Sequence, residues 1–149
     1  MHRNMENKKI TIAVMDYSKS PGPRYSAQGD DSGEDFYHKI LNEKFKYACD
    51  NKLDIEINLD GPDGYASSFL DEAFGNLVFD FGKEDVKNRV TIISNEEPEW
   101  IEMIINETYN EWEERRIAND TPTKTAKHEA WWRLNYNNLL SKEEWVCSI

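Results

Sequence analysis

Short strand-like runs alternate with helical segments along this chain, and that alternation constrains its fold more than any other feature. The runs KKITIAVM (8–15), LDIEINL (53–59) and RVTIIS (89–94) are rich in β-branched apolar residues, which is typical of buried strands. Parallel strands must be joined by long crossovers, and helices between the strands supply them. The order therefore predicts an α/β domain with a mixed or mostly parallel sheet.

Apolar residues recur at helical spacing in four segments. The first helix is predicted to begin at a Ser32 cap, and the second is predicted to end at Gly82. The third is predicted to follow Pro98, because proline suits the first turn of a helix. The fourth is predicted around HEAWWRLNYNNLL (128–140), with SKEE (141–144) as a final capping box.

The composition changes near residue 95, where the pattern becomes helical, acidic and rich in Trp. Eight Glu and no Lys or Arg lie between Glu96 and Glu114, these two included. About fifty residues seldom build a core alone. We therefore expect one domain, 1–149, in which a helical extension (95–149) adjoins an α/β core (8–94). The aromatic residues expected in the core are Trp112 and one of Trp131 and Trp132.

Charge and apolar content restrict the partners of the chain. The formal net charge of −11 disfavours direct binding to nucleic-acid phosphates, which attract Lys and Arg. No apolar run approaches the roughly 20 residues that a membrane helix needs, and the start MHRNMENKK does not resemble a signal peptide. Cys49 and Cys147 match no metal or redox spacing and are expected to be reduced thiols. We expect a cytoplasmic protein without membrane contact.

The stretch DGPDGYASSFLDEAFG (60–75) follows a predicted strand and opens a predicted helix. In open α/β sheets, ligands tend to bind at such junctions, where Gly allows tight turns and helix N–H groups attract anions. Two interpretations remain open: Ser68 and Asp71 form a capping box, or a Ser hydroxyl is exposed for recognition or phosphorylation. The candidate functional residues of this junction are Asp63, Tyr65, Ser67 and Ser68.

A strand, a loop with Gly and Asp, and a Ser-Ser pair opening an amphipathic helix resemble the STAS domain of anti-sigma-factor antagonists. SSFLDEAFGNL, together with Arg24 and SGEDF, resembles more closely a STAS-like family, over residues 10–94. The resemblance implies a STAS fold and a Ser at the helix start that a histidine-kinase-like ATPase phosphorylates, which switches partner binding. Ala66 and Phe69 stand where STAS domains usually carry Asp and Gly.

A second polar loop, SPGPRYSAQGDDSGEDF (20–36), precedes the first predicted helix. If both helices start at one edge of the sheet, Arg24, Ser32 and Glu34 face the junction across a shallow groove, where Arg binds phosphate or carboxylate well. Alternatively, Arg24 pairs with a nearby Asp in a solvated loop. The clustered carboxylates match no EF-hand, so we expect no metal ion. These carboxylates are Asp30, Asp31, Glu34, Asp35, Asp60 and Asp63.

Catalysis is not expected from the residues of this chain. Nucleophilic catalysis needs a base beside the nucleophile, and His2, His38 and His128 belong to no recognisable triad. The sequence has no P-loop, no dinucleotide-binding Gly pattern, no zinc spacing and no nucleophile elbow. We therefore expect no catalytic residue, no metal and no cofactor.

These features favour a regulatory protein–protein recognition module of a prokaryote or phage. Ser67, Ser68 and the Arg24 loop would contact a protein partner, either an ATPase-type kinase or a basic nucleic-acid-binding protein. Trp is frequent at interfaces, so an exposed Trp would favour a homodimer. Two alternatives stay open: an acidic, phage-encoded inhibitor that imitates nucleic acid and blocks a nucleic-acid-binding protein, and an unrecognised small enzyme or nucleotide-binding domain.

Overall fold

A computed structural model of the chain describes residues 8–146, in which three parallel strands form the main sheet. The strands are β1 (Lys9–Ala13), β2 (Asp54–Asn58) and β3 (Val90–Ile93). β2 lies between the other two, with Ile10 opposite Ile55 and Ile57 opposite Ile92. The predicted α/β fold with a parallel sheet is confirmed. His2 and Cys147 lie outside the described residues.

Seven α-helical segments occur in the part of the chain that the structure describes. In chain order they are α1 (Val14–Tyr17), α2 (Gly33–Phe36), α3 (Asn42–Asn51), α4 (Ser67–Phe81), α5 (Lys83–Arg89), α6 (Glu99–Met103) and α7 (Tyr109–Ile117). The π-helical turns Tyr37–Leu41 and Ile104–Thr108 join α2 to α3 and α6 to α7. Between residues 8 and 146, no helix combines the length and the apolar content that crossing a membrane requires.

The hydrophobic core surrounds α4, which is enclosed along nearly its whole length. Both α2 and α7 pack against α4. Phe36 of α2 and Phe69 of α4 stack with ring centroids 5.8 Å apart. Fully burying a large apolar side chain of this kind stabilises a fold by roughly 1.5–3 kcal/mol. The helix ends where Gly82 takes a φ of 92°, so the predicted stop is confirmed.

α6, its π-helical turn and α7 form one continuous helix, which confirms the helical prediction for the first part of the extension. The apolar side of this helix faces α4 and the rest of the core. Ile104, Tyr109 and Trp112 are buried there, and Trp112 is only 2 % exposed. The extension therefore contributes directly to the core.

The predicted last helix (128–140) is wrong, because this part of the chain forms a β-hairpin. β4 (Trp131–Leu134) and β5 (Leu140–Glu143) pair antiparallel, with Trp131 opposite Glu143. SKEE (141–144) lies mostly within β5 and therefore caps no helix. The turn between the strands places Asn138 at a φ of 62°, which Asn tolerates better than most residues.

The hairpin forms because its residues meet partners on opposite sides of the strand. Trp131 is buried, whereas Trp132 is half-buried between the amines of Lys46 and Lys142, which lie 4.2 and 4.9 Å from its ring centroid. The Asn42 side chain accepts a bond from Trp132 N (2.9 Å) and donates one to Trp132 O (3.0 Å), as a neighbouring strand would. One of the two Trp residues thus lies in the core, as expected.

Candidate functional site

The β2–α4 junction presents a free hydroxyl at the start of the helix. Ala66 is the N-cap residue and has no polar side chain, so α4 begins at Ser67 without a side-chain cap. The predicted capping box of Ser68 and Asp71 is therefore wrong. Within residues 8–146, neither Ser67 nor Ser68 uses its hydroxyl in a hydrogen bond; Ser67 is exposed and Ser68 is half-buried. Tyr65 is half-buried, and its hydroxyl donates to Leu59 O (2.7 Å).

The loops that follow the three parallel strands are tied together at one edge of the sheet. Asp63, in the loop after β2, accepts a bond from the hydroxyl of Ser20, in the loop after β1 (2.8 Å). Asp60, in the loop after β2, accepts bonds from Asn95 N (3.1 Å) and Glu96 N (2.9 Å), which lie in the loop after β3. These backbone N–H groups lower the pKa of Asp60. The loops after β1 and β2 thus lie at the same edge of the sheet, which is the condition under which Arg24 could lie near Ser67.

Arg24 is bound to carboxylates of α4, not to an Asp of its own loop. Its Nη1 lies 2.8 Å from Asp71 Oδ2 and 3.0 Å from Glu72 Oε1. Asp71 also accepts bonds from the Thr108 hydroxyl (2.9 Å) and from Trp112 Nε1 (3.2 Å). Arg24 therefore belongs to a network that joins the first loop, α4 and α7.

A small hollow of about 200 Å³ lies beside Ser67, between the β2–α4 junction and the continuous helix that α6 and α7 form. Carboxylates of Glu107 and Glu111 form one side of this hollow, and Arg24 and Asp71 contribute to the other. The Ser67 hydroxyl and the exposed carboxylates of the extension thus belong to one continuous surface.

Ser32 and Glu34 lie beneath the surface, contrary to the expectation that they would face Ser67 across an open groove. The Ser32 hydroxyl accepts a bond from Asp35 N (2.9 Å), so it caps α2 as the sequence predicts. It also shares a hydrogen bond with the Ser26 hydroxyl (2.9 Å). The closeness of α2 to α4 explains the burial, since a β-carbon on Gly33 would overlap the carbonyl of Phe69.

Glu34 is the centre of a second cluster, which sequence reasoning did not identify. Its Oε1 accepts bonds from Ser26 N (3.0 Å) and the Thr125 hydroxyl (2.6 Å). Its Oε2 accepts from Thr125 N (2.9 Å) and lies 2.6 Å from His128 Nε2. Burial alone would raise the pKa of Glu34, but the bonds from His128, Thr125 and Ser26 outweigh it and lower the pKa to about 2.

A buried polar stripe runs along α4 beside this cluster, at residues 72, 76 and 80. Lys124 Nζ donates to Asn76 Oδ1 (2.8 Å), and Arg133 Nε donates to Asp80 Oδ1 (2.6 Å). Burial raises the pKa of Glu72, although Arg24 bonds to it. The signal in the sequence was a polar residue at every fourth position of a mostly apolar helix, which places all three on one face.

The two histidines of the described chain lie together but in different environments. Their rings stack with centroids 3.8 Å apart, and only His128 bonds to a carboxylate. Both ring nitrogens of His38 are buried and have no hydrogen-bond partner among residues 8–146, and burial lowers the pKa of His38 far below its usual value. In the same part of the chain, no group of His, Cys, Asp and Glu residues is arranged to hold a metal ion.

Comparison with known proteins concerns the middle of the chain. Residues 32–100 match the model of a family described as a STAS-like domain of unknown function (DUF4325). No curated protein and no solved structure matches the chain. The matched segment contains α2, β2, the junction with Ser67, and β3, but it excludes Arg24 and most of the extension. The resemblance to the STAS-like family is confirmed for this segment.

Proposed function

We propose that this STAS-like domain is a regulatory protein–protein recognition module whose β2–α4 junction contacts the protein partner. The observation that carries the proposal is the exposed hydroxyl of Ser67, which bonds to no other described residue. A hydroxyl that served only to cap the helix would bond to the first turn of α4. Functional residues are concentrated on loops held by a rigid scaffold, and this junction is such a loop.

The charges beside the junction favour a partner whose contact surface carries Lys or Arg. Glu107 and Glu111 lie at the hollow beside Ser67, and Asp63 is exposed on the adjoining loop. Complementary charges steer a partner to a surface and suppress wrong partners. Both an ATPase-type kinase with a basic face and a basic nucleic-acid-binding protein fit this description. Further exposed carboxylates of the same helix are Glu99, Glu102 and Glu114.

Phosphorylation of Ser67 is the finer part of the proposal. The hydroxyl lies at the first residue of α4, where unpaired helix N–H groups favour a phosphate. A phosphate there adds about two negative charges, which Glu107 and Glu111 would repel. It would also compete with Asp71 for the guanidinium of Arg24. Both effects would alter the contact surface, so partner binding would change.

The recognition proposal is tested by comparing the full chain with two variants. Ser67→Arg places a large cation at the junction, whereas the matched control, Asn137→Arg, places it on the exposed turn of the hairpin. Proteins captured by each variant are quantified by mass spectrometry and then titrated as purified proteins. We expect Ser67→Arg to weaken binding by at least about tenfold and the control to bind normally. Equal binding by all three chains would contradict the proposal.

The phosphorylation step has a separate test. A purified ATPase-type kinase and ATP are incubated with the full chain and with Ser67→Ala, and the modified residue is identified by mass spectrometry. We expect phosphate on Ser67 and none in the variant. Modification elsewhere would overturn the switch and leave the contact surface to the binding experiment. The inhibitor that imitates nucleic acid and the small enzyme stay predictions.

A further inference from the structure

Residues 121–130, called the strap below, connect α7 to β4 without forming a helix or a strand. Within the described chain, no backbone group of the strap bonds to another backbone group. Backbone bonds tie most ordered segments to their neighbours, and a segment without them can open locally without unfolding the elements beside it. The strap is therefore held in place by side-chain contacts.

Those contacts converge on one carboxylate. Glu34 accepts bonds from the Thr125 hydroxyl and backbone N–H and pairs with His128. The Thr125 hydroxyl additionally accepts a bond from Ala27 N (2.9 Å). One further anchor, the amine of Lys124, donates to Asn76 Oδ1. Opening the strap would break three of the four hydrogen bonds that the Glu34 carboxylate makes.

The surface of α2 and α4 that the strap covers, called the groove below, is acidic. Glu34, Glu72 and Asp80 are each no more than 1 % exposed. They lie on α2 and α4, which pack directly against each other. Buried carboxylates need cations or hydrogen-bond donors. Thr125 donates to Glu34, and the ammonium group of Lys124, which is bonded to Asn76, interacts with the negative charges of all three carboxylates.

We propose that this groove is a binding site for an extended peptide segment with an adjacent Lys and Thr, and that the strap occupies it in cis. A partner segment of the same chemistry would present its ammonium group to Asn76 and its hydroxyl and backbone N–H to Glu34. It would enter only when the strap leaves, so the strap is also an autoinhibitory contact. Charge complementarity between the groove and the strap itself identifies this chemistry. The site uses neither Ser67 nor its hollow.

The test uses a labelled synthetic peptide with the sequence of residues 119–130 and the full chain. Thr125→Ala/His128→Ala weakens the strap but leaves Glu34 in the groove. Thr123→Ala is the matched control, because Thr123 is exposed and bonds to no described residue. We expect the peptide to bind the double variant at least about tenfold more tightly than the wild type or the control, since fewer contacts then hold the strap closed.

The chemistry of the peptide is tested in the same titration. A peptide carrying Thr125→Ala and His128→Ala is expected to bind the double variant at least about tenfold more weakly than the unaltered peptide. Peptides that bind equally, or an unaltered peptide that binds the wild type and the double variant with the same affinity, would overturn the proposal. Absence of binding to a double variant with a normal circular dichroism spectrum would overturn it too.

Hydrogen exchange of the wild type tests the opening without any substitution. We expect the amides of residues 123–130 to exchange at least about tenfold faster than those of α4, because they open locally. Strap amides that exchange only with global unfolding would show that the segment does not open by itself, and the proposal would fail.

Discussion

The indole ring of Trp112 lies directly over the α-carbon of Gly75, so that a β-carbon at residue 75 would overlap the ring. Trp112 Nε1 donates to Asp71, which lies one turn before Gly75 on α4. Only glycine at residue 75 permits so close an approach of α7 to α4. The extension is thereby packed directly into the core. Close approach of two backbones is a recognised use of glycine.

Gly75→Ala is expected to destabilise the protein by about 3 kcal/mol, because the added methyl group overpacks a rigid contact. Gly64→Ala is the control, since a β-carbon there would have no neighbour within 4 Å. Urea unfolding measures both free energies, with a lower midpoint for Gly75→Ala. A midpoint equal to that of the control would show that α7 can shift away from α4 without cost.

The same substitution at two helix starts is expected to have different effects. Ser32→Ala removes the hydroxyl that caps α2 and lowers the free energy of unfolding by about 1 kcal/mol or more. Ser67→Ala removes a hydroxyl that bonds to no described residue, so the free energy of unfolding should change by no more than about 0.5 kcal/mol. Thermal unfolding of both variants is the measurement. Comparable losses would mean that Ser67 has a structural role.

Glu34→Gln is expected to reduce stability at neutral pH by about 3 kcal/mol, because the buried carboxylate loses charge-assisted bonds. The pKa of Glu34 is lowered from 4.5 to about 2 in the folded chain. The unfolded state thus binds more protons in this range, and the stabilising contribution is lost as the pH falls from about 4.5 towards 2. The difference in unfolding free energy between the wild type and Glu34→Gln should become smaller as the pH falls over that interval.

The exposed residue Glu43 provides the control for this experiment. Glu43→Gln removes one carboxylate without removing a hydrogen bond or an ion pair to a described residue, so its unfolding free energy at neutral pH should equal that of the wild type. Urea titrations from pH 7 to pH 2 give the three curves. A difference for Glu34→Gln that stays constant with pH would show that Glu34 titrates normally in the folded protein.

Lys124 is expected to make stability rise with alkaline pH. Burial lowers its pKa from 10.5 to about 8. Between these values the unfolded state binds more protons, so raising the pH stabilises the folded state, by about 2–3 kcal/mol in all. Lys124→Met should remove this rise, whereas Lys127→Met, at an exposed residue, should keep it. Parallel pH dependences for all three chains would exclude a perturbed Lys124.

Local patterns were sufficient to predict the parallel sheet and the position of the junction. Three strands lie within the predicted runs, and both the Ser32 cap and the Gly82 stop are present. Each of these features depends on neighbouring residues: the spacing of apolar side chains, a hydroxyl three residues before an N–H group, or a glycine after the last turn. Sequence reasoning handles such short-range features well.

The second part of the extension was mispredicted because its structure depends on distant residues. HEAWWRLNYNNLL is compatible with helical spacing, but Asn42 bonds to both backbone groups of Trp132 from 90 residues away. The hairpin is therefore stabilised by a contact between residues that are too far apart in the sequence for a local pattern to reveal. The same limit applies to the cap of α4, because a suitable Ser-to-Asp spacing does not reveal which residue begins the helix.

By itself, the sequence determined the class of fold, the positions of its three strands along the chain and the place where two serines open a helix, because these follow from patterns over a few residues. Only the tertiary structure decided which polar groups are free. Arg24 pairs with Asp71, and Thr125 with Glu34, across 47 and 91 residues. Such partners are chosen by the packing of α4 against its neighbours, since burial forces every carboxylate there to find a donor.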